Sequence, residues 1–245
     1  LPAGILQGLR LSRSGCVDAL YSTCPPPTTH LIALALKRIT RKPWIADFRD
    51  PWIEDGSHPR PGTFRFRLES RLERRVVTGA DALVVTTPYL RDDFLARYPG
   101  LPPEKVRVIY NGYDEPDFSD LSGPPTDHFE LIHAGLVTEQ FRNPFPLLEE
   151  LAHLLGTGAL PRASVRVVFL GGGWWVQSAQ FRDRVRVLGL RDVVSVLGRV
   201  SNREALQRMA SASALFLLQA SEDTRSLIPA KTFEYLRIGR PILAV

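Results

Sequence analysis

Two stretches of the chain gather side chains that can handle anions and protons. The first is the run 47–52, Asp-Phe-Arg-Asp-Pro-Trp, which sets Asp47, Arg49, Asp50 and Trp52 on one short segment. A carboxylate at the carboxyl end of a strand can orient a hydroxyl or share its proton, and a guanidinium between two carboxylates can equally be a local staple. The second is 221–234, where Pro229 is suited to open a helix that carries Lys231 and Glu234 three positions apart. On one helical face near an N-terminus, that lysine can meet a phosphate and that carboxylate can accept both hydroxyls of a diol. The plainer alternative is a glutamate that complements the helix dipole and pairs with its neighbouring lysine. Glu222 adds a carboxylate just upstream.

Smaller signals lie between these two. Ser22 and Thr23 precede Cys24 and three prolines, a stiff loop presenting hydroxyls before a helix that starts near Thr28, with His30 read as a solvated residue of its first turn. Gly135 is followed by a loop holding Arg142, then by Asn143 as N-cap and Pro144 as first helical residue, a cation beside a helix N-terminus that suits a diphosphate. Gly171, Gly172 and Gly173 allow close backbone approach to a ligand without forming a dinucleotide fingerprint.

The elements that must position these residues alternate strictly. Apolar or β-branched runs at 19–23, 44–48, 82–87 and 106–110 are separated by helical patterns at 28–38, 64–78 and 89–97. A second series runs 129–134, 165–170, 193–197, 214–218 and 241–245. Such alternation implies parallel sheets built from right-handed crossovers, with ligands beyond the carboxyl ends of the strands. The acidic, proline- and glycine-bearing stretch 112–127 reads as a linker between a domain at 1–111 and another at 128–245. The expected fold class is therefore α/β, two Rossmann-like open parallel sheets facing a cleft, both incomplete at the chain ends.

With 245 residues, 44% hydrophobic and 23% charged, the chain is neither disordered nor fibrous, and its longest apolar run, 31–36, is too short to span a bilayer. Cys16 and Cys24 lack the partners that a disulfide framework or a zinc site would need, which fits a reducing cytosol. The net charge of +5 favours an anionic substrate or a lipid surface; no basic run interleaved with aromatics points to nucleic acid. Arg65, Arg67, Arg71, Arg74 and Arg75 could rest on anionic lipid, although Glu69 and Glu73 among them make a solvated, salt-bridged face the expected reading. The first residue is Leu1, no leader pattern follows it, and the last run reads as a strand, so the sequence is read as part of a longer protein.

Taken together, STCPPPTTHLIALALKR, PWIADFRDPW, VIYNGYD, the HAG at 133–135, VSVLGRVSNREALQRMASASALFLL and IPAKTFEYLRIGRPILAV resemble glycosyltransferase family 4 and related retaining GT-B enzymes, in a bacterial subgroup with the DFRDPW signature. The resemblance implies a metal-independent, hexosyltransferase-type enzyme that needs no cofactor and moves a sugar from a nucleotide-diphosphate donor to a glycan or lipid-linked acceptor. It further implies a role in cell-envelope polysaccharide synthesis, in the cytoplasm or peripherally on the inner face of the membrane. By position Glu234 would hold the donor ribose, Lys231 and Arg142 the diphosphate, and Gly135 would admit it, with Gly171 and Gly172 nearby. Asp47 and Asp50 would lie near the reacting sugar, and Ser22, Thr23 and Arg49 on the acceptor side. The pattern departs at Ser226, where the family has the first glutamate of its pair; Glu222 could stand in for it. The alternatives are a non-catalytic nucleotide-binding GT-B protein and a nucleotide-sugar epimerase of GT-B shape.

Overall fold

The structure, a computed structural model, describes residues 1–53, 61–121, 127–140, 142–219 and 227–245. The chain forms two compact units, the first taking in Leu1–Tyr110 and the second starting at Asn111.

In the first unit β1 (Leu20–Cys24), β2 (Trp44–Phe48), β3 (Ala82–Val85) and β4 (Val106–Val108) pair in sequential order, all parallel. The links are α2 (Thr28–Thr40), α3 (Phe64–Gly79) and α4 (Pro88–Arg97). Strands added in one direction through right-handed crossovers put every linking helix on the same face. The side chains agree. Trp44, Ala46, Phe48, Leu83 and Val85 are buried under those helices, whereas Tyr21 and Ile45, one residue out of phase, are 65% and 39% exposed. Thr63 and Thr87 cap α3 and α4 by accepting from the N–H three residues on, so both helices start where the sequence places a hydroxyl.

One helix has no counterpart in the sequence reading. α1 (Pro2–Arg13) packs on α2 through Gly4 and Gly8, where a Cβ would come within 2.8 Å of Ile32 and 2.5 Å of Leu36. Those two glycines weaken the helical signal, and the close helix contact requires them.

The second unit is wound both ways. β5 (Phe129–Ala134), β6 (Val165–Leu170), β7 (Val194–Leu197), β8 (Ala214–Leu217) and β9 (Ile242–Ala244) pair in the order β7-β6-β5-β8-β9, all parallel. Helices α5 (Phe145–Gly156) and α6 (Ala179–Val187) cover one face with Phe145, Leu148 and Phe181. On the other face lie α7 (Asn202–Ser211) and α8 (Ala230–Ile238), with Leu206, Met209 and Tyr235. The strand order reverses between β5 and β8, which makes their carboxyl ends the topological switch point of this sheet.

Several local expectations change. Ser22 to Cys24 lie within β1 rather than in a loop after it. α5 begins at Phe145, and Asn143 Oδ1 accepts from the Phe145 N–H at 3.0 Å, so Asn143 caps the helix from one residue further out than expected. The stretch read as a linker carries a 3-10 turn, Glu115–Phe118, whose Phe118 is buried in the core of the second unit, because an aromatic in an acidic segment still gains by leaving water.

His30, expected in solvent, is fully buried. Trp44 Nε1 can only donate, and it donates to Ser22 Oγ at 2.9 Å, while the same Ser22 hydroxyl is hydrogen-bonded to His30 Nδ1 at 2.7 Å. Burial drives the His30 pKa down to about 4, against a weaker upward pull from Asp47. The unfolded chain therefore takes up this proton first as pH falls, and the His30 contribution to stability, complete above about pH 6.5, is lost as pH falls through the folded value. The expected loss is roughly 3 kcal/mol across that window. Denaturant titrations at pH 7 and near pH 4 should show that much less pH dependence in His30→Asn, which keeps a hydrogen-bonding group beside Ser22; equal pH dependence in both proteins would remove His30 as the cause.

Candidate functional site

At the switch point of the second unit the two strand-end loops are tied together by backbone hydrogen bonds. Gly135 N donates to Leu170 O at 3.1 Å, and Val137 N to Gly172 O at 3.0 Å. Gly135 has φ +146°, a conformation that favours glycine, and leaves the end of β5 unobstructed. A Cβ at Gly172 would come within 2.4 Å of Val176, so the second loop also needs its glycine. Thr138 and Arg142 form an antiparallel bridge that folds the intervening loop back and holds half-buried Arg142 close to the end of β5.

Helix α8 reaches the same place by a different device. Tyr235 is completely buried, and its hydroxyl accepts from the Ala134 N–H at 2.9 Å and donates to Phe216 O at 3.4 Å. One side chain thereby fixes the first turns of α8 against the ends of β5 and β8. Lys231 and Glu234, one turn apart on that helix, are joined Nζ to Oε2 at 2.6 Å and are both partly exposed. His133 completes the cluster: it is buried, Nδ1 donates to Phe216 O at 2.8 Å, and Nε2 has no hydrogen-bond partner among the described residues. Burial above all holds His133 below the usual imidazole pKa; the Phe216 and Leu136 carbonyls oppose this, and the charges of Arg142 and Lys231 add to the depression. Two cations therefore already act on one buried imidazole at the mouth of the site.

The structure thus brings together Gly135, Arg142, Gly171, Gly172, Lys231 and Glu234 at the carboxyl ends of one sheet. Glu222 and Ser226 lie outside the described residues. Residue types and spacing did not single out Tyr235 or His133 for roles in the site; both sit beside residues that were singled out, and only the strand pairing shows what they fasten. Tyr235→Phe, which leaves the buried Ala134 N–H without its acceptor, is expected to cost about 1–3 kcal/mol in a denaturant titration. A loss under about half of the lower figure would mean that another acceptor reaches Ala134.

In the first unit the candidates separate. Ser22 is spent inside the core and presents nothing to a ligand. Thr23 and Asp47 are register partners on the open face of the sheet, where the Tyr21 hydroxyl donates to Asp47 Oδ2. The phenol of Tyr21 is pushed above its ordinary pKa, first by that hydrogen bond. Asp50 is half-buried, and burial raises its carboxyl pKa while Arg49 pulls it down. The staple alternative is not formed: among the described residues no ion pair links Arg49 to either aspartate, and Arg49 is exposed. Trp52 is buried and donates to Glu69 at 3.2 Å.

Residues 2–112 match the model of the glycosyl transferase 4-like domain. Among curated proteins, the chain is 41% identical over 49 residues to the alpha-maltose-1-phosphate synthase of Mycolicibacterium smegmatis, covering 20% of this chain and 13% of that protein. It is 26% identical over 166 residues to the D-inositol 3-phosphate glycosyltransferase of Corynebacterium kroppenstedtii, covering 62% of this chain and 35% of that one. Among solved structures, HepE of Anabaena in complex with UDP superposes with a TM-score of 0.71 at 16% identity, covering 97% of this chain and 62% of that one. The chain thus has the GT-B fold, two parallel-sheet α/β units, and spans about three fifths of that neighbour's length.

Proposed function

We propose that the full-length protein is a glycosyltransferase that moves a hexose from a nucleotide-diphosphate donor to a glycan or lipid-linked acceptor, with retention of configuration and without a metal. The observation that carries this reading is the convergence of Gly135, Arg142 and the Lys231–Glu234 pair at one switch point, held there by Tyr235. Such a place offers a diphosphate two cations and a helix N-terminus, and offers a ribose a carboxylate that can accept from both hydroxyls. The occurrence of UDP and UDP-glucose in structures of the Anabaena neighbour supports a nucleotide sugar as donor.

In this reading Glu234 holds the ribose, Lys231 and Arg142 hold the diphosphate, and Gly135, Gly171 and Gly172 let it approach the backbone. The charge that develops on the leaving diphosphate is stabilised by the same cations, as an oxyanion is by fixed donors, and the leaving phosphate oxygen takes the acceptor's proton. No protein nucleophile is needed. The Tyr21–Asp47 pair, with Thr23 beside it, and Asp50 serve the acceptor and the reacting sugar, and Glu222 supplies a second carboxylate to the sugar hydroxyls. The setting is cell-envelope polysaccharide synthesis on the cytoplasmic side of a membrane.

The test is a thermal-shift panel of nucleoside diphosphates and nucleotide sugars on the full-length protein, with Glu234→Ala in parallel, because a ligand that binds only the folded state raises its apparent stability. A shift selective for one base and abolished in the variant is expected. A folded protein that responds to none of them would overturn the donor site, and isomer formation without acceptor would make the enzyme an epimerase.

A further inference from the structure

The outward face of α3 carries a charge distribution that its sequence conceals. At about 100° per residue, Phe64, Arg67, Leu68, Arg71, Arg74 and Arg75 fall on one arc, and Glu69 and Glu73 on the opposite side. The contacts confirm where the acids went. Glu73 is fully buried, accepting from Ile53 N at 3.0 Å and from Arg97 and Tyr98, while Glu69 holds Arg65 at 2.7 Å and Trp52 at 3.2 Å. The solvated, salt-bridged face expected from the sequence is therefore confined to the single Arg65–Glu69 pair. Among the described residues none of Arg67, Arg71, Arg74 and Arg75 has a carboxylate partner, and Phe64 and Leu68, between them, are 82% and 46% exposed.

Two cavities flank this face. One of about 480 Å³, between α3 and α4, is lined by Ser70, Arg71 and Arg74 with Ile53 and Phe66 on its apolar wall. The other, of about 440 Å³, lies between α2 and α3 and is lined by Arg38, Arg41 and Arg75. Basic cavities either side of an arc with an exposed phenylalanine and leucine at its crest match the two layers of an anionic bilayer surface, phosphates and the start of the acyl region. A polyanion without an apolar layer would leave Phe64 and Leu68 unused.

We propose that α3 is the docking surface of the protein on an anionic lipid bilayer, with a lipid phosphate seated between Ser70, Arg71 and Arg74. The inference deepens the membrane setting of the proposed function. It rests on that reading for the lipid-linked acceptor alone, because vesicle binding requires no donor site. No helix among the described residues is long and apolar enough to cross a membrane.

The experiment is co-sedimentation of the full-length protein with vesicles of phosphatidylcholine alone and of phosphatidylcholine with phosphatidylglycerol. Comparisons are the double variant Arg71→Glu/Arg74→Glu and, separately, Phe64→Ser. Binding only to the anionic vesicles is expected, released by salt, and reduced at least about tenfold by the double variant with its melting temperature unchanged. If the double variant fails to fold, salt release of the wild type and weaker binding by Phe64→Ser decide the question. Equal binding to both vesicles, or undiminished binding by a folded double variant, overturns the proposal. So does stabilisation by glycerol phosphate, or capture by an RNA oligonucleotide, in a protein that ignores anionic vesicles. A nucleotide shift that survives loss of vesicle binding leaves the donor site standing.

Discussion

Lys231→Ala in the full-length protein is expected to lower turnover at saturating nucleotide sugar by about 10²–10³-fold. The ammonium lies at the N-terminal turn of α8, 2.6 Å from Glu234, in a helix that Tyr235 fixes at the ends of β5 and β8. In the proposed function it meets charge that grows on the leaving diphosphate, and a donor aimed at developing charge lowers the barrier more than it tightens binding. The effect should therefore appear in kcat, with a smaller change in KM. A rise in KM with kcat within about twofold would reassign Lys231 to ground-state binding, and unchanged kinetics would remove it from the site. The pairing adds a second consequence. Without its lysine, Glu234 loses the partner that orients it, so donor affinity should fall in this variant too.

Glu73→Ala is expected to destabilise the first unit by about 3–5 kcal/mol, the usual result of removing one member of a buried ion pair. Its carboxylate is the shared acceptor of the Ile53 N–H, the Arg97 guanidinium and the Tyr98 hydroxyl, and it has no exposure to water. Burial works against the Arg97 charge, and Glu73 together with Asp93 more than offsets it, so the guanidinium is held above its ordinary pKa. Removing Glu73 leaves that charge with Asp93 alone, at 2.6 Å on the next turn of α4. Differential scanning calorimetry should show an apparent Tm lowered by roughly 6–20 °C. A loss below about 1 kcal/mol would mean that water enters and solvates Arg97. Because Glu73 also keeps a carboxylate off the outer face of α3, the same residue serves stability and leaves the docking arc uniformly basic.

The amino-acid sequence was sufficient for the elements. Strands at 44–48, 129–134 and 165–170 recur at their expected positions, because short, largely apolar runs bounded by turn residues and separated by helical patterns pair as parallel strands. It was sufficient also for the pairing of Lys231 with Glu234, since three residues along a helix are neighbours by geometry alone. Where the sequence misled, the decisive interaction was distant along the chain. His30 is silent about its own burial until Ser22 of β1 brings it a hydrogen bond and Trp44 of β2, bonded to that same Ser22, packs its ring against it. Glu69 and Glu73 look like a salt-bridged surface until helical phase turns them inward, Glu73 onto Arg97 and Tyr98 of α4 and Glu69 toward Trp52. Tyr235 and His133 acquire roles only when β5 pairs with β8, because the atoms they bind, Ala134 N and Phe216 O, lie up to 101 positions away in the sequence. Local pattern records which face of an element avoids water; which buried polar groups meet across that face is decided by strand order and register, and here those place the site.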